Sequence, residues 1–251
     1  FSRLAAVAAA SQADGERFRA VGASPDNIQV TGNLKFDLQI PVGLAQRGRA
    51  LRDQWQAGAR PVWIAASTHA GEEEIVLDAW VRLRERHPDL LLVLAPRHPQ
   101  RFAAVADLLA RRGMTCAKRS VDDAVDSATQ VLLGDTLGEL LLLFAAADLA
   151  FVGGSLVPAI GGHNLLEPAA LALPLTTGPH LGGWGEVAGW LEQAGALRRV
   201  LGAAELARAT ACHLDDAAAR GKAGRAGAVV VAAHRGALER SLALLATLGI
   251  E

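Results

Sequence analysis

The sequence predicts an α/β fold in which helices cover both faces of a Rossmann-like parallel sheet. Short apolar runs of strand length, such as residues 61–66 and 90–95, alternate with longer segments that are typical of helices. Strands that are buried on both faces have such continuous apolar runs, and this alternation favours a parallel sheet. The chain has 251 residues, of which 51% are hydrophobic, so it can bury one large core or two smaller ones.

In the first half of the chain, capping residues, apolar runs and glycine breaks predict each element. The chain is expected to open within a helix. Ser11 is a preferred helix cap, so a short helix is expected to begin there and to end before Gly22. Glu72, Glu73 and Glu74 suit the positive end of a helix dipole. The sequence predicts strands at residues 28–30, 61–66 and 90–95, and helices at residues 11–20, 44–57, 72–87 and 100–113.

The second half continues the alternation. Residues 120–129 are acidic and polar, so we expect an exposed loop between two strands. From Glu205 to the end the chain is rich in alanine, a strong helix former, and the helix is expected to break near Gly221, Gly224 and Gly227. The sequence predicts strands at residues 115–118, 130–133, 149–152, 173–177 and 198–201, and helices at residues 137–147 and 184–194.

Composition and charge exclude several classes of protein. The formal net charge is −1 and both signs are interspersed, so nucleic acid is not an expected partner. Cys116 and Cys212 are far apart, which excludes a disulfide framework and a cysteine zinc site. The longest apolar run, residues 140–147, is bounded by Glu139 and Asp148 and is too short to span a membrane. We expect the chain to be soluble and to need neither a metal nor a cofactor.

A glycine-rich loop at residues 153–162 is the most informative segment. It follows the predicted strand at residues 149–152 and precedes a helix. Glycines allow backbone amides to approach a phosphate closely, and the start of a helix favours an anion. His163, Asn164 and Glu167 follow, and a carboxylate one turn beyond a phosphate can reach ribose hydroxyls. The alternative is a tight structural turn, but such a turn does not need this polar cluster.

Ser67, Thr68 and His69 follow the predicted strand at residues 61–66 and allow several interpretations. The two hydroxyls can face a ligand or cap the next helix. A Ser-His-acid nucleophile set would need a nucleophile elbow around the serine, which the sequence lacks. A His-x-x-Glu metal site would need a second pair of ligands at a suitable spacing, which it also lacks. We favour the interpretation in which the hydroxyls face a ligand.

Polar residues also follow the predicted strands at residues 90–95 and 130–133. Arg97 can bind a phosphate through two parallel hydrogen bonds, or it can pair with a neighbouring carboxylate. Arg101 either binds the same ligand or is solvated, and Glu139 either contacts a base amine or caps its helix. Because parallel strands end at one edge of the sheet, we expect these loops to converge on one pocket. Trp184 and Trp190 are expected to lie in the core.

Five segments resemble, in the same order, segments of the 3-deoxy-D-manno-octulosonic acid (Kdo) transferases. The most specific is the loop that ends in Gly-Gly-His-Asn-Leu-Leu-Glu-Pro, at residues 161–168. The others are residues 30–37, 66–73, 95–101 and 134–140, and Gly178-Pro-His180 adds a further match. In contrast, residues 181–184 depart from the family pattern, so the resemblance assigns no donor contact to them.

The resemblance implies one half of a GT-B glycosyltransferase, which moves Kdo from CMP-Kdo to a lipid A precursor in lipopolysaccharide synthesis. Residues 1–40 are then expected to be the end of an N-terminal acceptor domain and a linker, and residues 41–251 the donor-binding domain with C-terminal helices. The acceptor site, the carboxylate base and the membrane anchor would lie in a missing N-terminal part, at the cytoplasmic face of the bacterial inner membrane. This chain alone is therefore expected to be inactive, and we assign no catalytic residue to it.

For CMP-Kdo, the resemblance and the convergent loops together predict one set of binding residues. Two alternatives remain open: another GT-B transferase or epimerase that uses a sugar nucleotide, and a non-catalytic nucleotide-binding module. The predicted binding residues are Ser67, Thr68, Pro96, Arg97, Leu137, Gly138, Glu139, Gly161, Gly162, His163, Asn164, Leu165, Leu166 and Glu167.

Overall fold

The computed structural model describes residues 1–56, 58 and 60–249 of the chain. The predicted helix end at Ala57 and the last two residues of the predicted second domain lie outside the described residues. The strands are β1 (Val7–Ala9), β2 (Ile28–Val30), β3 (Val62–Thr68), β4 (Leu91–Pro96), β5 (Cys116–Lys118), β6 (Val131–Leu133), β7 (Leu149–Val152), β8 (Leu175–Thr177) and β9 (Leu197–Arg199). The helices are α1 (Gln12–Ala20), α2 (Leu44–Gln54), α3 (Glu72–Arg84), α4 (Phe102–Arg111), α5 (Leu140–Ala145), α6 (Leu166–Ala170), α7 (Gly185–Gln193), α8 (Ala203–Asp215), α9 (Ala217–Ala233) and α10 (Ala237–Thr247).

A parallel sheet of seven strands forms the core of the larger of two compact units, which comprises Pro41–Ala228. The strand order is β5-β6-β4-β3-β7-β8-β9, and every neighbouring pair is parallel. β3 is buried along its whole length, as expected for a central strand with helices on both faces. The predicted Rossmann-like α/β class is confirmed.

The strand order reverses at β3, which pairs with β4 on one side and with β7 on the other. The connections that follow β3 and β7 therefore leave the sheet on opposite sides. At such a switch point they open a crevice beyond the carboxyl ends of the strands, where ligands of open α/β sheets bind. The topology thus places the glycine-rich loop after β7 beside the Ser-Thr-His segment at the end of β3.

The smaller unit comprises Phe1–Ile40 together with the segment from Val229 onward. Its strands β1 and β2 are parallel, with Val7 opposite Ile28. The chain therefore opens with a strand, not within a helix as predicted, because pairing with β2 outweighs the helix propensity of the alanines. The boundary between the two units lies after Ile40, and the chain from Val229 onward belongs to the smaller unit. The assignment of residues 41–251 to a donor-binding domain stays a prediction.

The predicted helix break at residues 221–227 is wrong. Helix α9 continues through this region, and the chain instead breaks at Asp216, which is extended, and at Gly236, which has a φ of 90°. A Cβ atom at Gly224 would lie 1.8 Å from the carbonyl oxygen of Ala172. The glycine therefore serves close packing of α9 against the turn after α6, rather than a change of chain direction.

Helix α5 is shorter than the predicted helix at residues 137–147. Gly138 has a φ of 78°, so the chain from the end of β6 to Glu139 forms a loop instead of the first helical turn. This loop lies at the carboxyl edge of the sheet. In the described part of the chain, no helix has both the length and the apolar character needed to cross a membrane.

Candidate functional site

A cavity of about 370 Å³ opens at the carboxyl ends of the central strands. The ends of β3 and β4 and the segments that follow β4, β6, β7 and β8 form its wall, all within the larger unit. Its volume lies in the range of small-molecule sites. The lining residues are Ser67, Ala95, Pro96, Arg97, Gly134, Thr136, Leu137, Gly138, Leu140, Leu143, His163, Asn164, Glu167 and Trp184.

The structure brings together most of the residues that the sequence predicts. They come from distant parts of the chain and meet because the parallel strands end at one edge. The predicted residues that line the cavity are Ser67, Pro96, Arg97, Leu137, Gly138, His163, Asn164 and Glu167.

Three of the other predicted residues are buried in the core instead. Thr68 is fully buried, and its hydroxyl donates a hydrogen bond of 3.3 Å to Oε1 of Glu73. Leu165 and Leu166 are also fully buried. Apolar side chains at these two positions hold the end of the loop on the core, because burying a leucine is worth about 1.5–3 kcal/mol. None of these three side chains reaches the cavity.

Gly161 and Gly162 shape the loop and do not line the cavity. Their φ values are 93° and 72°, a conformation that favours glycine. The amide of Gly162 donates to the carbonyl oxygen of Gly154 at 2.7 Å, which closes the loop. A Cβ atom at Gly154 would lie 2.7 Å from Cδ2 of His163, so this glycine makes room for the imidazole. The glycines therefore allow the loop to close and leave space for the imidazole of His163 in the cavity wall.

Glu139 neither lines the cavity nor caps helix α5 through its side chain. Its two carboxylate oxygens accept hydrogen bonds from Arg119 at 2.9 and 3.1 Å. These bonds lower the pKa of Glu139, and the same pair raises the pKa of Arg119. Asp122 also pairs with Arg119. Glu139 thus forms an ion pair that connects the loop before α5 to the chain after β5 instead of capping its helix, and its contact with a base amine stays a prediction.

Glu72 supports the site from beneath the glycine-rich loop, a role that its sequence pattern does not indicate. Its side chain is fully buried at the start of α3. One carboxylate oxygen accepts from the amides of Ser155 and Leu156, both at 2.9 Å. The other accepts from Gly154 at 2.6 Å and from His69 at 3.0 Å. The anion that sits on the first amides of the glycine-rich loop is therefore the protein's own carboxylate.

Glu73 is fully buried next to Glu72 and pairs with Arg101 at 3.0 Å. Burial raises the pKa of Glu73, and the charge of Arg101 opposes this shift. The guanidinium of Arg101 is therefore held by a carboxylate, and neither the ligand role nor the solvated role considered for it describes its position. This ion pair ties the start of α3 to the turn before α4.

Arg97, in contrast to Arg101, is not held by a carboxylate of the described residues. It is exposed, it lines the cavity, and its guanidinium makes no ion pair or side-chain hydrogen bond within the described residues. Its backbone amide donates to the carbonyl oxygen of Thr68 at 3.0 Å, which fixes the main chain at the end of β4. Within the described part of the chain, no neighbouring carboxylate therefore holds Arg97, and its five donors can bind an anion.

His69 and His163 meet at the rim of this site. Their Nε2 atoms are 2.8 Å apart and the ring planes differ by only 10°. His98 packs edge-on against His69 at 5.2 Å. The ring of His69 therefore faces another imidazole rather than Ser67, which does not support a nucleophile set. Among the described residues, no group of three or more histidine, cysteine or acidic side chains is placed to hold a metal ion.

Asn164 and Glu167 form a polar pair in the wall. The amide nitrogen of Asn164 donates to Glu167 at 3.0 Å, while its oxygen accepts from the amide of Leu166 at 2.9 Å. Asn164 thus orients the carboxylate and the start of α6 together. Burial raises the pKa of Glu167, and the bond from Asn164 opposes this shift. A half-buried carboxylate in the wall of the cavity is a good acceptor for ligand hydroxyls.

Trp184 also lines the cavity and does not lie in the core, where its sequence pattern predicts it. It ends the short 3-10 turn Gly182–Trp184, and helix α7 begins one residue later. Gly182 has a φ of 48°, and a Cβ atom there would lie 3.1 Å from the carbonyl oxygen of Gly161. The turn therefore packs on the glycine-rich loop and brings the indole to the site.

In chemical terms, the cavity combines a free guanidinium, a half-buried carboxylate and a partly apolar wall. Leu137, Leu140 and Leu143 provide the apolar surface on the β6 side. Arg97 lies on the loop after β4 and His163 on the loop after β7, and both side chains can donate hydrogen bonds to an anion. This combination suits a small molecule with an anionic group, hydroxyls and a flat apolar part, as in a nucleotide.

The chain is similar over nearly its whole length to known transferases. A family model for 3-Deoxy-D-manno-octulosonic-acid transferase (kdotransferase) matches residues 1–38. The 3-deoxy-D-manno-octulosonic acid transferase of Haemophilus influenzae is 41% identical over 246 residues, which are 98% of this chain and 57% of that protein. The transferase of Bordetella pertussis is 38% identical over 242 residues, which are 94% of this chain and 55% of that protein. The chain thus spans about half the length of these curated relatives.

A solved structure matches the larger part of the chain. The C-terminal CMP-Kdo binding domain of WaaA from Acinetobacter baumannii superposes with a TM-score of 0.72 at 29% sequence identity. The match covers 76% of this chain and 99% of that domain. The similarity therefore includes almost all of the other domain and leaves about a quarter of this chain outside it.

Proposed function

Because the chain belongs to the Kdo transferase family, we propose that its cavity binds CMP-Kdo and that the longer protein transfers Kdo from this donor to a lipid A precursor. The observation that carries the proposal is the meeting of Arg97, His163 and Glu167 in one cavity. Arg97 follows β4, whereas His163 and Glu167 follow β7, and each lies within a segment that resembles the family. The relative from Acinetobacter baumannii, a CMP-Kdo binding domain by its description, supports the same donor.

In this proposal the phosphate of the donor binds to Arg97, since that guanidinium has no competing ion pair among the residues that the structure describes. The ribose lies toward Glu167, whose carboxylate accepts hydrogen bonds from its hydroxyls. The cytosine ring lies toward Leu140 and Leu143 at the apolar end of the cavity. Such contacts position the donor and stabilise the charge on the departing phosphate, which are large contributions in transfer reactions.

The reaction itself needs more than this cavity. A hydroxyl of the acceptor attacks the anomeric carbon of Kdo, and the bond from that carbon to the phosphate oxygen breaks, so that CMP leaves with the electron pair. We propose that the acceptor site and the base that accepts the hydroxyl proton lie in the part of the longer protein that precedes this chain. That part would also hold the protein at the cytoplasmic face of the inner membrane, where its lipid substrate is found.

We expect this chain to bind CMP more tightly than UMP, because the proposed donor carries cytosine. Titration calorimetry with CMP, UMP and UDP under one set of conditions measures the difference. Binding of CMP alone should be weak, since the sugar contacts are missing. Equal affinity for CMP and UMP would contradict the cytosine assignment. Tighter binding of UDP would instead favour a transferase or epimerase with a different donor, and binding of all three without any transfer by the longer protein would favour a nucleotide-binding module.

The Glu167→Gln variant should bind CMP about 10- to 100-fold more weakly, since a hydrogen bond to a charged acceptor contributes about 1.5–3 kcal/mol. The substitution keeps the size of the side chain and its bond with Asn164. The same titration calorimetry measures the loss.

A comparison with 2′,3′-dideoxy-CMP shows whether the loss concerns the ribose. The parent chain should lose affinity for this analogue, whereas Glu167→Gln should bind CMP and the analogue almost equally, because the two changes remove the same interaction. Glu186→Gln, an exposed acidic residue in α7, is the matched control. If the two losses were additive, Glu167 would not contact the ribose.

A further inference from the structure

The contact between the imidazoles of His69 and His163 determines which ring nitrogens can carry a proton. A distance of 2.8 Å between two Nε2 atoms is a hydrogen bond, so one Nε2 carries the proton and the other accepts it. In the neutral pair, the donating ring has an unprotonated Nδ1 and the accepting ring has a protonated one. An additional proton has one place to go, the open Nδ1 of the donating ring, and the contact between the rings is preserved.

The groups around the pair favour its neutral form. Burial is the largest cause that lowers the pKa of both histidines, and for His163 the value falls to about 4. The charges of Arg97 and the neighbouring His98 act in the same direction for both rings, and Arg101 adds to the effect at His69. The buried carboxylate of Glu72 is the one group among these causes that favours protonation. The negative charge of Glu72 would therefore stabilise an additional proton on the pair.

The proposed reaction changes the charge in this cavity. In a CMP-sugar the phosphate is a diester with one negative charge. When the anomeric carbon–oxygen bond breaks, the electron pair stays on the phosphate oxygen, and the product is a monoester whose second proton dissociates with a pKa of about 6. The site must therefore accommodate a second negative charge near neutral pH. Arg97 is permanently charged and cannot respond to this change, but an imidazole pair can.

We propose that the His69–His163 pair takes up one proton from solvent when the phosphate in the cavity becomes a dianion. The pair then carries a charge of +1 between Glu72 and the departing CMP, and stabilises the product side of the transfer. This inference rests on the proposed CMP-Kdo function, since it needs a phosphate beside His163 and Arg97. The predicted role is that of a proton-holding pair for the leaving group, distinct from the base that accepts the proton of the acceptor hydroxyl.

Calorimetry in buffers with different ionisation enthalpies measures proton uptake directly. At pH 7.5 CMP is already a dianion, so any uptake belongs to the protein. We expect binding of CMP to be accompanied by uptake of up to about one proton, and its affinity to fall as the pH rises. Cytidine 5′-methylphosphate, a diester with one charge, should bind with little uptake. This comparison uses the parent chain and needs no variant.

Two variants locate the proton. His163→Gln and His69→Gln should each bind CMP with almost no proton uptake, because the pair no longer exists. His213→Gln is the matched control, since His213 is another half-buried histidine of lowered pKa and does not line the cavity. Its uptake should equal that of the parent chain. If one pair variant does not fold, the other gives the same test.

The outcomes separate this inference from the function on which it rests. Uptake with CMP that is absent with the diester and absent in the pair variants supports the proton-holding pair. CMP binding without uptake, or equal uptake with both ligands, overturns it and leaves the donor assignment intact. Failure of CMP to bind at all overturns both, because the proposed function then has no phosphate to place beside the pair.

Discussion

Replacement of Arg97 by lysine is expected to weaken CMP binding about 10- to 100-fold, since charge-assisted hydrogen bonds contribute about 1.5–3 kcal/mol. Lysine keeps the charge but cannot form the two parallel hydrogen bonds of a guanidinium. Cytidine has no phosphate, so its affinity should be nearly unchanged. Titration calorimetry with both ligands measures the two affinities on the same variant.

The melting temperature provides the control for this prediction. Arg97 has no ion pair in the described part of the chain, so Arg97→Lys should melt within a few degrees of the parent chain. Arg111→Lys changes an exposed arginine in the last turn of α4 and should alter neither ligand affinity nor melting. A loss of melting temperature together with equal losses for CMP and cytidine would mean that Arg97 supports the loop and does not bind phosphate.

Arg101, one turn later, shows why the two arginines are expected to behave differently. Its guanidinium holds the fully buried carboxylate of Glu73. Removing one partner of a buried ion pair is strongly destabilising, by about 3–5 kcal/mol, because the other charge remains buried. The sequence predicts Arg97 as a binding residue and leaves the role of Arg101 open. Among the described residues, the structure shows Arg97 in the cavity wall without an ion pair and Arg101 paired with Glu73.

The sequence could predict the sheet and much of the cavity because both follow from local patterns. Apolar runs mark the central strands, and polar residues that follow parallel strands must converge at one edge. Arg97, His163 and Glu167 were found in this way. The helix break near Gly224 was predicted wrongly because glycine has two roles, chain reversal and close packing, and only the neighbour at Ala172 shows which one applies.

The residues that were missed depend on contacts between distant parts of the chain. Trp184 has the pattern of a core residue, but the turn before α7 carries it to the cavity wall. Glu72 has the pattern of an acidic residue at the start of a helix. Its partners Gly154, Ser155 and Leu156 lie more than eighty positions further along the chain. No local signal distinguishes it from Glu74.

Replacement of Glu72 by glutamine is expected to lower the free energy of unfolding by about 2–6 kcal/mol, at about 1–3 kcal/mol for each buried donor without an acceptor. Each carboxylate oxygen accepts two backbone amides. In glutamine one of the oxygens becomes an NH2 group, which cannot accept, so two amides of the loop lose their partners. Urea unfolding measured by circular dichroism gives the change. Glu85→Gln, an exposed residue at the end of α3, should change the value by less than about 0.5 kcal/mol.

The same variant should bind CMP more weakly even at temperatures where it is folded, because Glu72 holds the loop on which His163 rests. The imidazole lies against Gly154, and the amide of Gly154 makes the shortest bond to the carboxylate. A loop that is no longer tied to α3 would let His163 leave His69 and the cavity, and ordering it again on binding costs conformational entropy. CMP affinity and urea unfolding should therefore both fall in Glu72→Gln. If the variant unfolded at the urea concentration of the parent chain, the amides would have found other acceptors, and the glycine-rich loop would hold its shape without Glu72.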